Sequence, residues 1–461
     1  MERHAKAVAK ISGVVKQFFD KKVPYRINHG STNSTRPLRR DQVATVDIGS
    51  LRNVLEVNRA RRTALVEPNV PMDRLVEATL AEGLVPPIVM EFPGITAGGG
   101  FAGTAGESSS FKHGFFDDTV NEVEMVLADG EVVRANREGE RADLFRGAAG
   151  SVGTLGITTL LELRLKEAKP FVKTTYHRTN NVQEAVDLVR EQTRNPENDY
   201  VDGILFSKDH GVVVTGVLAD EKPASRPAQT FSGAWDPWYY LHVAEKTRSA
   251  AEPVVDYIPL AEYLFRYDRG GFWVGAGAFD YFKLVPFNRL TRWFLDDFLH
   301  TRMLYRALHG SGESERYFVQ DLALPYSTAA EFVDYTSESL GIWPLWLAKN
   351  RELEGRLREL GGMKWLYAHA YYSEADFWQI YGRDWYDALR RKYQATALPT
   401  VYDKVNVAAK TKKSSDEKGG WKQRAKAMWP IGGLWGIRQS IKSRDYNLHR
   451  HAKWKHPGSD S

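Results

Sequence analysis

Between Pro93 and Ser109 the chain sets Gly94, Gly98, Gly99, Gly100, Gly103 and Gly106 among the hydroxyls of Thr96, Thr104, Ser108 and Ser109. Glycine removes the Cβ that would hold an anion away from backbone N–H groups, and hydroxyls add further donors. The stretch Thr96, Ala97, Gly98, Gly99, Gly100, Phe101, Ala102, Gly103, Thr104, Ala105, Gly106, Glu107, Ser108 and Ser109 therefore reads as a cradle for a pyrophosphate. The competing reading is a tight loop through a crowded core, where glycines merely fit. Gly98–Gly103 also satisfies GxGxxG. A Rossmann fingerprint, however, needs a buried strand before the motif and an acid ending the next strand. Pro86, Pro87 and Pro93 interrupt that approach, and Glu122 and Glu124 begin the following strand. The Rossmann reading is the weaker one.

Two further clusters flank this run. Arg26, Asn28, His29, Gly30, Ser31 and Thr32 form a donor-rich loop near the first strands. Gly150, Gly153 and Gly156 recur every three residues before Ile157, which opens a run with strand character. Any one cluster alone is compatible with turns. The three in this order make a more specific arrangement.

A chain of 461 residues has room for two or three domains, and 43% apolar with 26% charged residues is a globular balance. The absence of cysteine excludes disulfides, thiolate metal sites, a cysteinyl flavin bond and a Cys nucleophile. No metal site is expected. No signal peptide or membrane-spanning run is visible, so a cytoplasmic or peripheral cytosolic location is expected rather than secretion. The formal net charge of +5 is uneven, because residues 406–461 alone carry thirteen Lys/Arg and four Asp/Glu. The excess is a tail and not a nucleic-acid-binding face. Within it, Trp421–Arg444 interleaves tryptophans with basic residues, which suits peripheral membrane contact. Pro430, Gly432, Gly433 and Gly436 argue instead for an interrupted, solvated tail.

Along the chain, residues 1–22 read as an amphipathic helix. Residues 23–170 alternate strands and helices, with strands at Ala44–Asp47 and Thr63–Pro68, a helix at Pro71–Glu82 and a hairpin around Asp129-Gly130. Residues 171–405 mix a strand at Gly211–Leu218 with helices at Val182–Gln192, Ala329–Ser339, Glu374–Tyr381 and Trp385–Tyr393. Aromatics concentrate after residue 230.

The motifs Thr96–Gly99, Gly103–Ser110, Val126–Gly130 and Gly153–Gly156 resemble the FAD-binding domain of the vanillyl-alcohol-oxidase (PCMH-type) superfamily. More narrowly, with Phe272-Trp273, Val319–Asp321, Trp343–Trp346, Phe377-Trp378 and Pro399–Lys404, residues 23–405 are similar to the Δ24-sterol reductases. The resemblance implies an α+β fold in which a two-subdomain, PCMH-type FAD-binding domain (23–170) precedes an α+β substrate or cap domain (171–405). It implies NADPH-dependent reduction of an isolated side-chain alkene in a sterol or terpenoid, with noncovalent FAD. That chemistry needs a proton donor, a hydride donor on the other side of the alkene and a dry, aromatic-lined cavity. Trp238, Tyr239, Tyr240, Tyr263, Phe265, Tyr267, Phe272 and Trp273 are the candidate wall, against the reading that they are ordinary core aromatics.

Candidate catalytic residues are Asp321 (a buried acid or a structural carboxylate), Tyr267 beside Arg266 and Arg269, and His369 with Tyr371 on one face of a strand-like run Trp365–Tyr372. Lys404, in Tyr402-Asp403-Lys404, either closes the site or caps the last helix. Two other functions remain open, an FAD-dependent oxidase or dehydrogenase of an alcohol or hydroxy acid, and a noncatalytic lipid-binding protein.

Overall fold

The computed structural model describes residues 1–30, 44–283, 285–311, 322–341, 343–345, 357, 359–406 and 429–457. Ser31, Thr32 and Asp321 lie outside the described residues.

The amino-terminal helix α1 (Glu2–Asp20) turns Val8, Ile11 and Val15 inward, one apolar stripe at helical spacing. His4, also buried on that stripe, joins two carboxylates, one just after β4 and one in β6: Nδ1 meets Glu67 at 2.9 Å and Nε2 meets Glu124 at 3.0 Å. The helix is thus bolted to the unit that follows and is not a separate appendage.

That unit holds three sheets. Strands β1 (Tyr25–Asn28) and β2 (Ala44–Asp47) pair in parallel. Strands β3 (Val54–Asn58), β4 (Thr63–Val66), β6 (Val120–Val126), β7 (Val132–Asn136) and β8 (Ile157–Arg164) form an antiparallel sheet in the order β3-β4-β8-β6-β7. The Asp129-Gly130 turn makes β6 and β7 the expected hairpin. Helix α2 (Met72–Leu80) buries Met72, Leu75 and Val76, and a short pair, β5 (Leu84–Val85) with β9 (Lys166–Glu167), closes the unit.

The cap is built on a second antiparallel sheet, β11-β12-β10-β13, from β10 (Phe171–Thr179), β11 (Tyr200–Ser207), β12 (His210–Ala219) and β13 (Val254–Pro259). Helices Val182–Gln192, Tyr239–Thr247 and Tyr326–Leu340 accompany it. One buried ion pair ties the two units together. Arg302, in the helix Thr301–Ser311, donates to Asp73 of α2 at 2.7 Å and to the carbonyl of Pro93 at 3.1 Å. Removing one partner of such a pair costs roughly 3–5 kcal/mol, because the other charge stays buried.

Two expectations change. Residues 365–372 are irregular: the strand there is only Met363–Lys364, and Ala370 makes an isolated bridge to Asn406. His369 and Tyr371 therefore do not share the face of a strand. Nor is the far end of the tail a solvated coil, since Ile431–Ser443 is helical and docked on Thr301–Ser311. Its glycines do not break it. An added Cβ at Gly436 would meet the Ala307 carbonyl and Ser311, and one at Gly433 would meet Tyr281 and Phe282. Glycine here permits close helix approach, and Pro430 sits at the N-cap, where its missing N–H costs nothing.

Candidate functional site

The glycine-rich run folds into a short helix, α3 (Ala97–Gly103), capped by Thr96, whose hydroxyl accepts from Gly99 N–H at 3.2 Å. Its leading amides are already spent. Ala97 N–H bonds Val70 O, Gly98 N–H bonds Pro68 O, and Gly100 N–H bonds Thr96 O. A Cβ on Gly98 would lie 2.6 Å from Pro68 Cβ, and one on Gly100 would lie 2.6 Å from Met90 Cε. Phe101 is fully buried against Phe145. The front of the run is thus a close-packed crossing, the competing reading of those glycines, and not an open cradle.

The second half of the run is stitched internally too. Ser109 Oγ donates to Pro87 O at 2.8 Å, Ser110 Oγ accepts from Glu107 N–H at 2.8 Å, and Glu107 accepts from the amides of Glu91 and Ser108 at 3.0 Å. What stays toward solvent is the line Gly99, Ala102, Thr104 and Gly106. Against it lies the third cluster. Val152 N–H donates to Ala102 O at 3.2 Å and Gly150 N–H to Phe101 O at 3.4 Å, while Ile27 of β1 borders Gly153. Asn28 O accepts from Ile48 N–H at 3.0 Å, and Arg26, Asn28, His29 and Gly30 continue from β1 toward residues beyond the described ones.

This third loop holds the strained backbone. Gly150, Val152, Gly153 and Gly156 all have positive φ, at +73°, +54°, +72° and +150°, and Thr104 facing them has +48°. A β-branched residue in the left-handed region is an outlier, and such outliers cluster where a ligand is clamped. The amides of Gly106, Gly153, Leu155 and Gly156 have no acceptor among the described residues. Here, more than at Gly98–Gly100, backbone N–H groups remain to meet an anionic or heteroaromatic ligand. The loop fits a flavin nucleotide on that observation.

The carboxy-terminal part of the cap fixes this loop, through Lys404 and through Tyr386 and Trp365, which were not among the candidate residues. Tyr386 donates to Thr154 Oγ1 at 2.7 Å while accepting from Val401 N–H at 3.1 Å and from Arg390 at 3.2 Å. Trp365 Nε1 donates to Thr104 O at 2.8 Å, and its ring meets Phe115 edge-on at 5.2 Å. Lys404 donates to the carbonyls of Val152 and Gly153 at 3.0 and 3.2 Å. Asp403 is occupied in a capping box with Thr400. The only advance signal for Tyr386 was its place on an amphipathic helix, which says buried and no more.

Of the other candidates, Tyr267 is buried, stacked on Phe272 (4.0 Å between centroids), with its hydroxyl 3.4 Å from Asp202 Oδ2. Arg266, wholly buried, donates to the same Asp202 oxygen at 2.7 Å and lies over the rings of Tyr263, Tyr267 and Tyr239. Burial and then the Asp202 charge push the Tyr267 hydroxyl well above the usual phenol range. Arg269 is structural, bonding Asp296 and the carbonyls of Phe231, Ala234 and Asp236. Trp238, Tyr239, Tyr240, Tyr263 and Phe265 are core aromatics. Phe272 and Trp273 are half-buried. Gly270, Gly271 and Phe272 take positive φ in succession, which brings Phe272 against Phe92 at the start of the glycine-rich run. The cap sheet touches that run again at its far end, where Val201 N–H donates to Ser108 O at 2.7 Å. Lys364 donates to His369 O at 2.6 Å. His113 is half-buried, and burial followed by Lys166 and Lys112 lowers it to about 4.

A family model described as an FAD binding domain matches residues 3–136, which includes α1. The chain is 28% identical to the Delta(24)-sterol reductase of Homo sapiens over 407 residues, covering 78% of this chain and 77% of that protein. It is also 28% identical over 443 residues to the Delta(24)-sterol reductase of Arabidopsis thaliana, covering 81% and 78%. The cytokinin dehydrogenase 5 of Arabidopsis thaliana is 26% identical over 194 residues, 41% of this chain and 32% of that protein.

Proposed function

We propose that this chain, which belongs with the Δ24-sterol reductases in the FAD-binding superfamily and is an FAD-dependent oxidoreductase, reduces an isolated side-chain alkene of a sterol or related terpenoid at the expense of NADPH. The observation that carries the reading is the glycine-rich run, which meets the strained, amide-rich loop Gly150–Gly156 through Phe101 and Ala102 and meets Phe272, stacked on the buried Tyr267, through Phe92.

The face Gly99–Gly106, the loop Gly150–Gly156 and the end of β1 would hold FAD noncovalently, and the bound flavin would supply hydride chemistry. The protein's own residues do the rest. Lys404, Tyr386 and Trp365 hold the cofactor loops against the cap, so that loop geometry is fixed before substrate arrives. Phe92, Phe272 and Trp273 provide an apolar face that excludes water from an alkene. Tyr267 keeps its proton at neutral pH, since burial and Asp202 both oppose the phenolate. It is the proton donor we favour for an alkene carbon. The nearby Arg266 holds Asp202 in place.

The test is anaerobic incubation of the purified protein with NADPH and a panel of Δ24-unsaturated sterols, following flavin absorbance and products together. NADPH should bleach the flavin, and sterol should restore its colour with formation of the saturated side chain. Bleaching by an alcohol or hydroxy acid, with NADPH inert, would instead establish the oxidase or dehydrogenase alternative. Purification without flavin and no uptake of added FAD would establish the lipid-binding one.

A further inference from the structure

We infer that the cap carries a second, independent interaction surface whose partner is an anionic lipid bilayer, formed by residues 285–294 together with the start of the helix Ile431–Ser443.

Apolar side chains are concentrated there without cover. In the short helix Arg289–Phe294 no residue is buried, and Leu290 and Phe294 are 61% and 77% exposed. The helix is nevertheless well formed: Asn288 caps it, its Oδ1 accepting from Thr291 N–H at 3.0 Å, and Asn288 N–H donates to Thr291 Oγ1 at 3.2 Å. Trp293 of the same helix and Val285 and Phe287 before it are exposed too, and Trp235 stacks on Trp293 at 4.8 Å. On the neighbouring helix Ile431, Leu434 and Ile441 face outward, as does Trp429 just before it. The two parts are continuous, because Gly433 lies against Tyr281 and Phe282, and Trp429 Nε1 donates to Tyr281 O at 2.7 Å. Scattered exposed apolar residues need no explanation, whereas a contiguous group of this kind marks an interaction site.

Charge selects the partner. Residues 281–294 contain Lys283, Arg289 and Arg292, residues 429–444 contain Arg438, Lys442 and Arg444, and neither stretch contains Asp or Glu. The nearest acids downstream are already paired: Asp296 with Arg269, Asp297 with His449 and Arg450, Asp445 with Arg306. Among the described residues, Asp280 is the one exposed acid adjoining the face. Three guanidinium groups lie along aromatic rings, Arg289 on Trp235 at 5.6 Å, Arg292 on Phe287 at 5.3 Å and Arg438 on Trp435 at 5.4 Å. Side chains so placed keep their stems on apolar surface and their charges at its rim, the arrangement of an interfacial element. A second copy of this face would bring like charges together, which disfavours self-association. No helix among the described residues is long and apolar enough to cross a membrane, so the contact lies on the bilayer surface.

The full chain loaded with FAD is sedimented with sucrose-filled vesicles of phosphatidylcholine alone or with phosphatidylserine, at low and high salt. The parent should pellet with the phosphatidylserine vesicles and less so as salt rises. Leu290→Glu/Phe294→Glu should reduce pelleting by about tenfold or more, with flavin content and elution volume unchanged. Arg438→Glu/Lys442→Glu, on the other half of the face, should reduce it as well. Indifference of the parent to anionic vesicles, or equal pelleting of parent and both variants, overturns the inference. So does a lipid-free dimer that the first variant dissolves while pelleting persists. Flavin reduction by NADPH is read separately, so failure here leaves the reductase reading standing, and the reverse.

Discussion

Lys404 Nζ donates to the carbonyl of Val152 at 3.0 Å, joining a short helix near the end of the cap to a β-branched residue held at φ +54°. Sequence placed Lys404 among the catalytic candidates, but its contacts make it a positioning residue. Replacing it with Met keeps most of its length and removes the donor to two carbonyls. We expect FAD affinity to fall about ten- to a hundredfold, equivalent to roughly 1–3 kcal/mol for buried acceptors left unpaired. The flavin absorbance of saturated enzyme should be unchanged. FAD titration by fluorescence checks this, and an unaltered dissociation constant in a folded variant would show that the clamp has no bearing on the cofactor.

The glycines of the first motif divide into two kinds, and single Ala substitutions should separate them. At Gly98 and Gly100 a new Cβ meets Pro68, or Met90 and Phe116, at 2.6–3.1 Å inside the core. At the exposed Gly99 it meets only Thr96 Oγ1 at 3.1 Å, and at the buried Gly103 only Tyr367 Cβ at 3.2 Å. Gly98→Ala and Gly100→Ala should lower the melting point of the FAD-free chain, at a cost of roughly 1–3 kcal/mol for overpacking. Gly99→Ala and Gly103→Ala should leave it nearly unchanged and act on FAD binding. Loss of FAD binding in Gly100→Ala with no loss of stability would return that glycine to the cofactor face.

This division marks where sequence stops being informative. Periodicity found Val182–Gln192, the β6–β7 hairpin and α2, because each of those patterns records which face is buried. The glycine clusters do fold into one neighbourhood. They could not say whether a missing Cβ admits a ligand or admits Pro68, since both demands leave the same residue. Likewise Gly433 and Gly436 looked like helix breakers, and only their partners Tyr281, Phe282 and Ala307 show them to be a packing seam. Tyr386 and Trp365 act through single hydrogen bonds to loops more than two hundred positions away, which no local pattern encodes.

Stability should peak near pH 6.5 because two stacked histidines shift in opposite directions. His300 and His449 lie 3.7 Å apart. Burial opposes charge on His300, but Asp268 and Asp296 outweigh it and push it up to about 9. Its contribution is complete below the unfolded value of about 6.5 and is lost as pH rises toward 9. His449 is lowered to about 4, by burial first and then by the His300 cation. Below about 6.5 an unfolded chain takes up that proton while the folded chain refuses it, so stability falls between 6.5 and 4. His113 shifts the same way. Melting points across this range should trace a dome, with His449→Asn making its acid side shallower. A monotonic profile through pH 6.5 would contradict the pairing.

Strain at Val152 supplies the last test. A β-branched residue at positive φ costs roughly 1–3 kcal/mol, which Val152→Gly relieves. The same change removes a side chain packed on the cluster of Ala370, Tyr372 and Phe377 and loosens the unfolded chain, two losses of similar size. Stability without FAD should therefore move by less than about 1 kcal/mol, in either direction. Cofactor binding has no such compensation. The loop would have to be ordered anew around the flavin, because a glycine at this position populates many conformations besides the one that aims the neighbouring amides. We expect FAD to dissociate about tenfold faster at nearly constant melting temperature of the free chain. If the variant instead gained the full strain energy and kept the parent's dissociation rate, the unusual backbone of Gly150–Gly156 would be a packing consequence and not a prearranged cofactor seat.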